Sequence, residues 1–66
     1  MIHVLYVGKA AVGVFEEWMH AHEARNDLLE DLGEDTHMTI YSTGRYMLEE
    51  LGKPLQTYEA WRDNAI

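Results

Sequence analysis

The chain opens on a nearly unbroken apolar run, Ile2-His3-Val4-Leu5-Tyr6-Val7, stopped by Gly8. A run so rich in β-branched and aromatic residues predicts a strand buried on both faces. Gly8-Lys9-Ala10-Ala11-Val12-Gly13 reads as a connector or the start of a second short strand. From about Val14 to Leu32 the spacing changes, and Phe15, Trp18, Met19, His22, Leu29 and Leu32 recur at three- and four-residue steps. That period predicts one long helix, with Gly33 as its stop. At about 100° per residue, Trp18, His22, Arg25, Leu29 and Leu32 centre on one side, and Glu16, His20, Glu23, Asp27, Glu30 and Glu34 on the other.

Glu34-Asp35 makes a turn, and the alternating His37–Thr43 segment predicts another strand. Arg45–Leu51 supports two readings. As a strand, Tyr46 and Leu48 share one face of a hairpin that starts at Thr43-Gly44. As a helix, Met47, Leu48 and Leu51 form the core stripe, with Gly52 as stop and Pro54 beyond. Helix propensity favours the second, while the turn and the need for a third strand tip the balance to the hairpin. Thr57–Asp63 predicts a short helix capped by Thr57, packed down by Tyr58, Trp61 and Ala65. The expected architecture is a single α+β domain spanning the 66 residues. A small antiparallel sheet of about three strands is covered by the long acidic helix and the C-terminal helix. Val4, Tyr6, Phe15, Trp18, Leu29, Leu32, Ile40, Leu48 and Trp61 are the expected core.

Composition sharpens this picture. A domain of 66 residues without cysteine has no disulfide or thiolate zinc site to support it. A chain of this size buries only about 60% of its unfolded surface, so its stability is marginal. Its 47% hydrophobic content is nevertheless too high for a disordered chain, despite a net charge of −7. The start lacks a basic, then apolar, leader, and the longest apolar run, Ala10–Phe15, is far short of a membrane span. A cytoplasmic protein is expected. The negative field repels nucleic acid and anionic membranes and attracts basic surfaces.

Few residues combine into chemistry. Glu17 and His20 have Glu-x-x-His spacing, and Glu16, His20 and Glu23 share a face, but a carboxylate-bridged metal site needs further ligands from other helices. His22 falls on the apolar side and reads as a hydrogen-bonded core or boundary residue. His3 and His37 lie near strand starts and are candidate neighbours across the sheet. Gly8–Gly13 sits where phosphate loops sit but has neither a Gly-Lys-Ser/Thr ending nor Gly-x-Gly-x-x-Gly. Ser42 has no nucleophile setting. No catalytic residue, metal or cofactor is assigned.

What stands out is charge. Eight of the twelve acids lie between Glu16 and Asp35, where Arg25 is the sole Lys or Arg. On a helix, Glu16 to Glu34 would span about 27 Å, with one anion about every 5 Å. Phosphates along one DNA strand repeat about every 3.4 Å. Glu16, Glu23, Asp27, Glu30, Asp31 and Glu34 are therefore the candidate partner-binding residues. With Asp35, they carry a resemblance of the whole chain to small, cysteine-free, acidic α/β inhibitors encoded by phages, of the anti-CRISPR and DNA-mimic kind. The resemblance implies a non-enzymatic inhibitor that binds a basic DNA- or RNA-binding groove of a host complex stoichiometrically, without a cofactor and without binding nucleic acid itself. It implies a monomer or weak homodimer in the host cytoplasm. A self-associating subunit using Tyr58 or Trp61 is the alternative among binding proteins. The order strand, helix, strand, helix also looks like the opening of a flavodoxin-like or class I amidotransferase-like domain, which would need further strands and a nucleophile from elsewhere.

Overall fold

Gly8 turns the first apolar run back on itself. In the computed structural model, which describes residues 1–64, Ile2–Val7 forms strand β1 and Ala10–Phe15 forms β2. Gly8, at φ 60°, and Lys9 make the two-residue loop, with Val7 opposite Ala10. Glycine at positive φ in the first loop position matches the twist of a tight antiparallel hairpin. Pairing with β1 buries Val14 and Phe15 completely, so the helix expected from Val14 begins only at Trp18. Both residues are of the β-branched or aromatic kind that packs well on a pleated surface.

Helix α1 (Trp18–Leu32) ends at Gly33, whose N–H bonds the Leu29 carbonyl. Strand β3 (Met38–Thr43) pairs antiparallel with the other side of β1. β2 and β3 therefore run in the same direction, and α1 crosses over β1 to join them. The hairpin expected at Arg45–Leu51 is replaced by helix α2 (Met47–Leu51), stopped at Gly52. The place of the missing strand is taken by β2, which leaves Met-Leu-Glu-Glu-Leu to its helical propensity. β4 (Leu55–Gln56) adds beside β2 in parallel, and α3 (Tyr58–Asp63) follows. The Thr57 side chain caps α3 by accepting the Ala60 N–H at 3.2 Å. The chain is α+β, but its sheet is mixed and four-stranded, in the order β3-β1-β2-β4, and not three-stranded and antiparallel. The packing role expected of Ala65 lies outside the described residues.

The register puts Leu5, Gly13 and Ile40 on one sheet face and Val4, Val14 and Tyr41 on the other. On the first, Leu5, Phe15, Ala21, Ala24 and Trp61 form a core under α1 and α3, flanked by Val12, Leu28, Ile40 and Tyr58. On the second, Ile2, Val4 and Val14 lie under Met47, Leu48 and Leu51 of α2. Of the expected core, Val4, Phe15 and Trp61 are buried, while Tyr6, Leu29, Ile40 and Leu48 are half-buried. Trp18 (48% exposed) and Leu32 (55%) are at the surface. The reason is the roll of α1. It meets the sheet through Ala21, Ala24 and Leu28, about a quarter turn from the side that its large residues mark. Alanine lets the helix lie close to the strands.

The β1–β2 ladder slips between Leu5 and Tyr6, so that Leu5 opposes Gly13, Tyr6 opposes Ala11, and Val12 is the extra residue of a bulge. The Trp61 indole N–H donates to the Val12 carbonyl at 2.9 Å. The same ring meets Phe15 edge to face, with centroids 6.2 Å apart. Gly13 leaves room for both. A Cβ there would lie 2.8 Å from Phe15 Cε2 and 3.0 Å from Trp61 Cδ1. Gly13→Ala is expected to destabilise the fold by about 1–3 kcal/mol. At roughly 4–8 °C per kcal/mol, calorimetry will show a clear drop in Tm. A Tm within a degree or so of the parent contradicts the packing described.

Candidate partner-binding surface

The six candidate carboxylates do not form one row. Glu16 precedes α1, in the link from β2, and is ion-paired with Arg45. Both side chains are more than half exposed, so the pair adds little to stability. Asp27 is half-buried and turned towards α3, where it accepts a hydrogen bond from the Tyr58 hydroxyl. That hydroxyl in turn accepts one from Arg62 Nη1 at 3.2 Å. Asp27 therefore ties two helices together, and its carboxylate is engaged within the fold.

The other four are exposed. Glu23 stands mid-helix, Glu30 and Asp31 are on the last turn, and Glu34 is in the turn beyond with Asp35. Arg45–Glu16 is the single salt bridge among the described residues, so these carboxylates have no cationic partner there. No basic residue occupies the last turn of α1. The carbonyl end of a helix carries partial negative charge, which adds to theirs. The 27 Å row contracts to about 10 Å from Glu23 to Glu30, followed by a cluster at the C-terminal end.

Two depressions adjoin these acids. A groove of about 370 Å³ between α1 and the start of α3 is lined by His20, Glu23, Thr57, Tyr58 and Glu59. An open hollow of about 590 Å³ at the end of α1 is lined by Asn26, Leu29, Glu30, Gly33 and Glu34. The hollow joins an apolar side chain to two carboxylates. Such a lining suits the aliphatic stem and charged head of a Lys or Arg. Among the described residues, no three His, Asp or Glu side chains are grouped to hold a metal.

The histidines disperse. His22 is half-buried, at the boundary, and stacks on Trp18 with centroids 4.9 Å apart and planes 14° apart in place of the expected hydrogen bond. His3 and Ser42 hydrogen-bond at 2.7 Å. His37 lies at the opposite end of the sheet, where its carbonyl accepts the Gly8 N–H. Antiparallel pairing of β1 and β3 thus separates His3 from His37. Trp61 is buried (8% exposed) and Tyr58 half-buried, so neither is the exposed aromatic that a self-associating surface would use. The exposed ones are Trp18, Tyr41 and Tyr46. No local pattern signals the Tyr58–Asp27 contact, which joins residues 31 positions apart.

Comparison of the chain with protein-family models, curated proteins and solved structures returns no match.

The Tyr58–Asp27 contact has a pH signature. The hydrogen bond to Asp27, followed by desolvation, raises the Tyr58 pKa above the ordinary 10.0, against the opposing effect of Arg62. The folded chain therefore holds this proton more firmly than the unfolded chain. The resulting stability is fully present below about pH 10 and is lost as pH rises through the raised value. Tyr58→Phe is expected to abolish this alkaline loss. Urea midpoints of parent and variant should converge as pH climbs above about 10. A constant difference between them would show that the proton on Tyr58 does not matter.

Proposed function

We propose that the chain is a non-enzymatic binding protein that uses the acidic end of α1 to occupy a basic, nucleic-acid-binding surface of another protein or complex. The observation that supports this best is the set of exposed carboxylates Glu23, Glu30, Asp31 and Glu34, which have no salt bridge among the described residues. Acids in the last turn oppose the helix dipole. Their placement costs the fold stability, and a cationic partner would recover it. The hollow beside Leu29, Glu30 and Glu34 gives a basic side chain both an apolar wall and two acceptors. In place of a duplex-length row of phosphate substitutes, the surface offers a compact anionic knob. It fits a local phosphate-binding pocket of a host complex better than a long groove. A basic nucleic-acid-binding target is also what the resemblance to anti-CRISPR and DNA-mimic inhibitors implies, and inhibition in the host cytoplasm is the role it suggests.

A doubly wound enzyme fragment has less support, because β1 pairs antiparallel with both of its neighbours and such domains are built on parallel strands.

The test combines Glu23→Lys, Glu30→Lys, Asp31→Lys and Glu34→Lys in one chain. Lysines near the end of α1 suit its dipole, so the variant should melt no lower than the parent. Affinity capture from a bacterial lysate at low salt, with mass spectrometry of the eluate, should recover a basic nucleic-acid-binding complex with the parent and lose it with the variant. High salt should release it from the parent as well, because exposed charge pairs are screened. Undiminished capture by the folded variant sinks the proposal.

A further inference from the structure

The opposite flank of α1 is largely apolar, half-buried along its middle and exposed at both ends. Asp27 faces α3, and Trp61 of α3 lies over Val12 and Gly13 of β2. The other flank, with Trp18, His22, Arg25, Leu29 and Leu32, therefore faces the β3 side of the sheet. Trp18 and Leu32 are about half exposed there, and Arg25 is the flank's sole Lys, Arg, Asp or Glu.

β3 itself is an edge strand six residues long, Met-Thr-Ile-Tyr-Ser-Thr, with no charge and no proline. Edges of soluble proteins are ordinarily guarded by charge, proline, bulges or brevity. The other edge, β4, is guarded by brevity at two residues. β3 carries no such guard. Its free groups can be assigned. The Gly8 N–H bonds the His37 carbonyl at 2.8 Å, and Thr39, Tyr41 and Thr43 lie opposite Tyr6, Val4 and Ile2. In an antiparallel ladder alternate residues turn their N–H and C=O to the same neighbour. Thr39, Tyr41 and Thr43 thus bond towards β1, while Met38, Ile40 and Ser42 turn theirs outward, past the last strand.

We infer that this edge pairs with the β3 edge of a second copy of the chain, antiparallel about a two-fold axis through Ile40. In that register Ile40 opposes its own copy, Met38 opposes Ser42, and Thr39 opposes Tyr41 (53% exposed in the single chain). The outward N–H and C=O groups of Met38, Ile40 and Ser42 are then satisfied, and Tyr41 gains a cross-strand threonine. An axis normal to the sheet puts both α1 helices on the same side, with their Trp18–Leu32 flanks in contact. The occupant is a second copy because of charge. Two copies of a chain of net charge −7 repel each other least where carboxylates are absent, and this seam is such a place. A cationic partner would gain nothing from it. The seam is roughly 20 Å long and one strand plus one helix high, about 400–600 Å² per copy, which puts it in the small, reversible class of interfaces. This pairing involves a surface separate from Glu23, Glu30, Asp31 and Glu34, so it stands or falls independently of the proposed function.

Sedimentation velocity from about 5 to 500 µM, with hydrogen exchange at both ends of that range, tests it. A reversible monomer–dimer equilibrium is expected that survives high salt, because apolar and backbone contacts are not screened. The amides of Met38, Ile40 and Ser42 should slow with concentration, whereas those of Thr39, Tyr41 and Thr43 are slow throughout. Two variants report on the seam. Leu32→Lys suits the helix C-terminus and makes the chain less negative, so general charge repulsion falls, yet it should weaken the dimer about tenfold or more. Ser42→Pro removes an outward N–H at a position where an edge strand tolerates proline, and should weaken it similarly. A chain that stays monomeric over the whole range overturns the inference. So does a dimer whose Met38, Ile40 and Ser42 amides exchange as fast as in the monomer.

Discussion

The hydrogen bond from the Trp61 indole to the Val12 carbonyl joins residues 49 positions apart, and the arrangement of the other elements depends on it. A bulge leaves a backbone carbonyl without its ladder partner, and an unpaired polar group inside a core is costly. Trp61 satisfies that group and fills the space that Gly13 leaves open. Its ring then seats α3 beside α1, which brings the Tyr58 hydroxyl to Asp27. Once Asp27 is drawn towards α3, the roll of α1 is fixed. Ala21, Ala24 and Leu28 turn down, and Trp18 and Leu32 turn out. An aromatic in the last helix thus decides which residues of the long helix reach solvent.

The roll also separates the two chemistries of the surface. Carboxylates gather on the outer side and C-terminal end of α1, and an almost uncharged strip lies along the β3 edge. In a small acidic protein this separation has physical meaning. Charge spread evenly over the surface would leave no approach for a like-charged copy and no concentrated field for a cation. Gathering the anions at one end strengthens the local field there, and the Coulomb energy of a contact rises as its charges come closer together.

Much of this was legible from the chain, and the failures have particular causes. β1, β3, the capped C-terminal helix and the Gly33 stop follow from local pattern, because each depends on neighbours a few residues away. The roll of α1 was misread because Trp18, Leu29 and Leu32 dominate any hydrophobic average. Ala21 and Ala24 make the contact instead, through small size and not hydrophobicity. The start of β2 is legible only as one of two readings, because its alanines and Gly13 weaken a strand signal, while Val14 and Phe15 also fit the helical period. Arg45–Leu51 was drawn towards a hairpin by the demand for a third strand that β2 already met. Among the acids, Glu23, Glu30, Asp31 and Glu34 stand at the surface as expected. Asp27 and Glu16 are engaged by Tyr58 and Arg45, partners from distant segments that no periodicity reveals.

The separation between Val12 and Trp61 bears on how the protein comes into being. The β1–β2 hairpin leaves the ribosome well before α3, and the bulge at Val12 lacks its cover until Trp61 follows, 49 positions later. Cores completed by contacts so far apart in the chain form late, after loop closure has been achieved. Before that moment the nascent chain presents an incompletely covered apolar sheet with an unguarded edge, the condition in which chains associate wrongly. A large negative charge is an economical protection during this interval. It keeps growing chains apart until the tryptophan arrives.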